Sequence, residues 1–529
     1  MAVRDPIREG LASGWKVTDA ATLERDMDLE TDVVVIGSGA GGGVTAESLA
    51  AAGLDVVIVE EGPLASSTDF HMREREAYPQ LYQESSARQT ADKSITILQG
   101  RCVGGGTTVN WTSSFRTPAR TLAHWKDAIG LKRTGAQELD PWFARMEERL
   151  AIAPWAVAPN ENNDILRRGC TKLGYAHGAI ARSVKNCANL GYCGMGCPIN
   201  AKQSMLVTTI PAALSRGARL VQRARVTRLV IDGDRVVACE AAGVAANGAR
   251  PGETRVRIRA RHFVLAAGGI GSPAILIRSD APDPNVLVGR RTFLHPTMVS
   301  AAIMPQRVDG HAGAPQSIYS DHFLDNAPLD GPAGFKLESG PTHPVLVGIT
   351  LPGFGEDHSG WMKRFPSVQV VIALLRDGFH RESGGGRVTL ASDGTPVLDY
   401  SMTAYLWEGA RRAYLAMAEI QFAAGAQSVM PAHENAKGYS NLKEAREGIN
   451  ALPMRALAAR VVSAHVMGGC AMGPDARRAV VDEDGRHHHL GNVSVHDGSV
   501  FPTSIAANPQ LSIYALAARS SALLAKSLR

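Results

Sequence analysis

The sequence predicts an α/β protein in which a βαβ unit interrupted by glycines is interleaved with a second body of different composition. Three observations predict it. Residues Asp32–Ile36 form a β-branched run that breaks into Gly37, Ser38, Gly39, Ala40, Gly41 and Gly42, before a stretch of helical composition. Glycine-rich, strongly patterned stretches lie near 31–118, 186–280 and 460–529, whereas 119–185 and 281–459 carry the mixed composition of an ordinary packed body. No Ser/Gly-rich or Pro-rich linker separates the two kinds, so they are expected to interleave.

In the first unit each glycine has its own task. Gly37 permits the tight turn, Gly39 lets the backbone approach a pyrophosphate, and Gly42 lets the helix pack closely on its strand, so that the helix N-terminus faces the anion. The helix stops at Gly53. Val56–Val59 then reads as a second buried strand that ends in Glu60, a carboxylate able to accept both ribose hydroxyls of an adenosine. Such a carboxylate repels a 2′-phosphate, which points to NAD or FAD rather than NADP. A glycine cluster alone is weak evidence; strand, helix, second strand and terminal acid together form a Rossmann-like unit. Its place near the start of a long chain, with more glycine motifs downstream, favours a resident flavin over a diffusing nicotinamide.

The bulk numbers bound the rest. A chain of 529 residues has room for roughly three average domains. With 45% hydrophobic and 20% charged residues it has an ordinary globular composition. The net charge of +5 comes without a dense Lys/Arg block interleaved with aromatics, so nucleic acid is excluded as a partner. Residues 1–26 lack an apolar core after a basic start and carry Asp and Glu throughout, which gives a cytoplasmic expectation. No run of 18 apolar residues occurs, which leaves peripheral membrane association open. Seven cysteines, an odd number, argue against a disulfide framework. His487, His488 and His489 lie beside Asp482–Asp484; three adjacent histidines cannot all face one ion, so a solvated turn is expected rather than a metal site.

Three further segments carry chemistry. Gly100-Arg101-Cys102-Val103-Gly104-Gly105-Gly106 leads to Asn110, and three glycines in a row let backbone lie against a flat ring and offer it amides. Ala266–Leu276 follows an apolar strand and contains Ser272-Pro273, a helix start. The C-terminal set is Ser463-Ala464-His465 with Gly468-Gly469-Cys470-Ala471-Met472-Gly473, then His496-Asp497-Gly498-Ser499, then Asn508-Pro509. In this order these segments resemble the glucose–methanol–choline (GMC) oxidoreductases, from residue 31 to the C-terminus.

The resemblance implies a Rossmann-like FAD-binding domain (25–118, 186–285 and 460–529) and an α+β substrate domain on an antiparallel sheet (119–185 and 286–459). It implies that Gly104, Gly105, Gly106 and Asn110 border the isoalloxazine, that the Val226 backbone meets adenine, and that Asp497 and Gly498 hold the pyrophosphate and ribityl chain. His465 and Asn508 fall on the catalytic pair, with Pro509 completing the Asn-Pro form of the sterol and choline enzymes. An imidazole titrating near 6.5 is suited to take an alcohol's proton, Asn508 to donate to the same oxygen, and the flavin to take the hydride. Cys187, Cys193 and Cys197, with Asn200–Met205, resemble the Cys-rich segment of long-chain alcohol oxidases and dehydrogenases, pointing to apolar alcohols; the three thiols are open to a metal cluster, a single disulfide or simple burial. The alternative activities are a flavin photodecarboxylase acting on fatty acids, separable by light-dependent CO₂ release, and a sterol-type alcohol oxidase. The electron acceptor, whether oxygen, a quinone or a redox protein, is not readable.

Overall fold

The computed structural model describes residues 4–245, 248 and 251–529. Among them, the glycine-interrupted unit forms the middle of an eight-stranded sheet in the order Lys16–Asp19, Arg219–Gln222, Val56–Val59, Met27–Ile36, Pro251–Leu265, Arg235–Val244, Ala224–Asp232, with Val493–Val495 added to the strand ending at Leu265. The pairings from Lys16–Asp19 through to Pro251–Leu265 are parallel, as is that of Val493–Val495. Val33, Val34, Val35, Val56, Val57 and Ile58 are fully buried, the continuous apolar run expected of parallel strands covered on both faces. The helix Ala40–Ala51 crosses from Met27–Ile36 to Val56–Val59, and the helix Gln510–Leu528 packs on it. This body is therefore closed by residues from both ends of the chain.

A second sheet runs in the order Ile95–Ile97, Val461–Ser463, Thr297–Ile303, Val368–Leu375, Phe335–Ser339, Ile318–Ser320, Gly178–Ala179, with Ser428–Pro431 also paired to Thr297–Ile303. Its centre is antiparallel. The long helix Ala404–Ala423 covers one face; Thr403 caps it by accepting from the amide of Leu406. Leu406, Ala410, Ala413, Met417 and Ile420 are buried at helical spacing and face that sheet. Two strands depart from the expected division. Ile95–Ile97 and Val461–Ser463, assigned from sequence to the cofactor body, pair parallel to each other inside the second sheet. Both are only three residues long, Ile95-Thr96-Ile97 and Val461-Val462-Ser463, and so short a run carries no sign of which sheet it will join.

The histidine run also differs from a solvated turn. His487 is buried and bridged to Val481, and His488 shares a hydrogen bond with the carbonyl of Gly473. All seven cysteines are free thiols, and among the described residues no group of three or more His, Cys, Asp or Glu is placed to hold a metal ion.

Candidate active site

The two glycine loops meet backbone to backbone. Gly37 has φ +101°, and a side chain at Gly42 would overlap the Gly37 carbonyl, so the helix sits directly on the turn. Gly39 caps the helix Ala40–Ala51 and brings no side chain to its first amides, which remain free for an anion. Gly105, at φ +52°, comes so close that a Cβ there would lie 2.8 Å from the Gly39 Cα. Ser38 locks the contact: its hydroxyl donates to Glu60 Oε2 at 2.6 Å and accepts from the Gly104 amide at 3.0 Å. Sequence reasoning passed over Ser38 because serine between glycines reads as filler.

Glu60 is buried at the end of its strand, as expected, and lines the cavity, but its oxygens are already engaged. Oε2 accepts from the Ser38 amide and hydroxyl, Oε1 from the Gly62 amide, and burial pushes its carboxyl pKa upward. Asp497 is engaged more fully. Oδ2 accepts from the Gly268 amide (2.8 Å) and the Ser272 hydroxyl (2.6 Å), while Oδ1 accepts from the Ser499 amide and hydroxyl. It thus ties the Ala267–Gly268 turn to the C-terminal segment, and the neighbouring Gly498 presents backbone to the cavity. A side chain at Gly41 would overlap the His496 carbonyl, so this segment lies directly against the first helix. Val226 also lines the cavity, and its carbonyl accepts from Arg278 at 3.0 Å.

One cavity of about 960 Å³ reaches from Gly39, Glu60 and Val226 through Gly105, Gly106 and Asn110 to His465, Asn508 and Pro509. Asn110 is held by donating to Gln510 (2.7 Å) and accepting from the Thr112 amide. The structure therefore unites His465 with Asn508, two positions that the sequence could link only by resemblance. Burial lowers the His465 imidazole to about 4, which keeps it neutral at physiological pH. Across from them the second sheet supplies an apolar wall. The directly opposed pairs Thr297–Leu374, Val299–Ile372 and Ala301–Val370 all line the cavity, as alternate residues of two antiparallel strands must. Leu346, Val347 and Leu351, on and just after the helix Pro344–Thr350, line it as well. That helix is capped by Glu74, whose carboxylate accepts from the amides of Val345 and Leu346.

Two site residues gave no sequence signal that was used. Glu338 is fully buried, its Oε2 lies 3.4 Å from Asn508 Nδ2, and burial raises it to about 7. Lys336 and Glu338, two apart on a strand and so on one face, are charges on a buried surface; that alternation was the available clue. His295, buried between Leu294 and Pro296, sits 3.5 Å from His465, Nδ1 to Nδ1.

Residues 78–297 and 382–517 match the N- and C-terminal parts of GMC oxidoreductase, and residues 32–72 match an FAD binding domain. An uncharacterized GMC-type oxidoreductase of Sinorhizobium fredii is 30% identical over 501 residues, covering 94% of this chain and 95% of its own. The chain belongs to the GMC oxidoreductases. A long-chain-alcohol oxidase of Arabidopsis thaliana is 28% identical, covering 95% of this chain and 68% of its own. Among solved structures, a pyridoxine 4-oxidase from Mesorbium loti has a TM-score of 0.66 at 18% identity, covering 93% of this chain and 98% of its own. An Aspergillus oryzae formate oxidase variant has a TM-score of 0.68 at 14% identity, covering 95% and 99%; at such identities the likeness concerns the fold. The cofactor of this GMC protein is FAD, and the residues present fit it. The helix at Gly39 leaves amides uncapped, and a Cβ at Gly106 would meet nothing beyond its own chain neighbours within 4 Å, so the glycine cradle opens to the cavity.

Proposed function

We propose that this GMC oxidoreductase oxidises an apolar alcohol, of long-chain or similarly bulky type, with His465 as the proton acceptor. One observation carries the reading: the His465 imidazole and the Asn508 amide share a single cavity with the glycine cradle, and its facing wall is built largely from aliphatic side chains; burial, which lowers that imidazole, favours its neutral form. Bound in the cradle, FAD supplies the acceptor for the hydride that leaves the alcohol carbon. The chain's own work is to bind, orient and deprotonate. His465 accepts the hydroxyl proton, Asn508 donates to the same oxygen, and the Val299, Ile372 and Val370 surface excludes water and holds the hydrocarbon. The similarity to a long-chain-alcohol oxidase supports the substrate class.

The test is anaerobic mixing with alcohols of graded length while flavin absorbance is followed. Bleaching that strengthens with chain length is expected, and His465→Ala should keep its FAD while slowing reduction about 10²- to 10⁴-fold. Undiminished single-turnover reduction in that variant refutes the assignment of the base. The same reading extends to peripheral contact with a lipid surface, supported by the outward faces of the cavity's covering segment: Ile349 is 63% and Phe354 90% exposed. Flotation with phosphatidylcholine vesicles, compared between the native chain and Ile349→Ser/Phe354→Ser, tests it; equal flotation of both removes this extension.

A further inference from the structure

We infer that His295 is a positioning residue for His465: its Nδ1 accepts a hydrogen bond from the Nδ1–H of His465, which keeps that proton on His465 and leaves Nε2 as the lone pair facing the cavity. The inference deepens the reading of His465 as base. Sheet register brings the two rings together: Thr297 pairs with Val462 and Met298 with Val461, so the chain just before one strand and just after the other leaves the ladder at the same end. His295 and His465 stand at that end, with their Nδ1 atoms 3.5 Å apart and rings inclined at 61°. His465 lines the cavity, whereas His295 lies behind it, 1% exposed.

The way His295 is held supports a directed role. Its φ is +51°, the left-handed region that a residue with a Cβ rarely adopts, and Pro296 restricts it further. Asp377 secures this backbone: its two oxygens accept the amides of Leu294 (3.1 Å) and His295 (3.3 Å), and Tyr400 donates to it at 2.9 Å. Thr297 donates to the His295 carbonyl, and Ser463, two residues before the base, donates to the Leu294 carbonyl. Strain maintained by so many surrounding bonds belongs to sites where direction matters. A proton on the Nδ1–Nδ1 line can sit on either ring. On His465 it makes Nε2 a base; on His295 it makes His465 Nε2 a donor, useless for accepting the hydroxyl proton. Among the described residues, no protein atom hydrogen-bonds His295 Nε2, so the contact with His465 is the only one that orders its protons.

Two variants and one spectrum test this on the FAD-loaded enzyme. His295→Ala should keep FAD and slow anaerobic flavin reduction by at least about tenfold. His295→Asn, which keeps an acceptor near the position of Nδ1 and tolerates a positive φ, should recover most of that loss. Unchanged reduction in His295→Ala, or an Asn variant no faster than the Ala variant, overturns the inference. If neither variant folds, ¹⁵N-histidine NMR of the unaltered enzyme decides, with the His465 signals assigned by their absence in His465→Gln. A neutral His465 protonated at Nδ1 supports the inference, and one protonated at Nε2 overturns it. A fast-reducing His465→Gln enzyme would instead strike at the functional reading, and the spectrum would still report on the His295 contact.

Discussion

The cofactor body and the substrate body are built on opposite terms. Around Gly37, Gly41, Gly42 and Gly105 the function is written in backbone, and a single added carbon at Gly41 or Gly42 would overlap another segment's carbonyl. Across the cavity it is written in side chains, through the opposed pairs Val299–Ile372 and Ala301–Val370. A close backbone approach admits one residue type. An aliphatic wall admits several of like volume, so the first body leaves motifs and the second leaves none.

The sharpest way to break this contrast is Gly41→Ala. Overlap with the His496 carbonyl should force the first helix away from the C-terminal segment, costing several kcal/mol and the bound flavin; flavin absorbance per protein and urea unfolding measure both. Gly106→Ala, where the added Cβ would meet nothing beyond its own chain neighbours within 4 Å, should keep the fold. Normal stability and flavin content in Gly41→Ala would dismiss the backbone argument.

Acid should come next, because it loads both bodies. Burial lowers His262 and His496 to about 3 and His343, His465 and His487 to about 4, against about 6.5 in the unfolded chain. Between those values the unfolded chain binds protons that the folded one refuses, so stability should fall as pH drops from about 6.5 towards 4. Glu338, raised to about 7, works in the other direction: its carboxyl holds a proton in the folded state, and its stabilising share fades as pH rises from about 4.5 to 7. Burial raises the carboxyls of Glu60, Asp377 and Asp497 as well, but it also lowers His124, His177, His295 and His433; nine histidines outweigh four carboxyls, so the urea midpoint should be lower at pH 5 than at pH 7. A midpoint that rises on acidification would contradict the count.

Smaller effects separate the two sides of the cavity. Asn508→Ala should slow flavin reduction about 10- to 10²-fold, less than the loss of His465, with FAD retained; an apoprotein would show that the Asn508–Glu338 contact is structural instead. Ile372→Trp should leave flavin content alone while cutting kcat/KM for long alcohols about tenfold relative to short ones. An equal loss for all chain lengths would mean that this wall does not grade its substrates.

Legibility followed the same line. The strand, the turn at Gly37, the helix and Glu60 were readable because spacing and residue type are both forced there. His465, Asn508, Asp497 and Gly498, which the motif order singles out, line one cavity. What the residues could not show was occupancy by other partners: Glu60 and Asp497 read as ligand acceptors, yet each is held by protein donors. Glu338 and His295 escaped notice because they reach the site through strand register, which a single chain of letters does not display.

The strand Val493–Val495 lies against the one that ends at Leu265, and Gln510–Leu528 rests on the helix that begins at Ala40. On the ribosome, then, the opening segment waits for the closing one. A nascent chain stalled at residue 490 should emerge unable to retain flavin, because the strand and the helix that complete the cofactor body are not yet made.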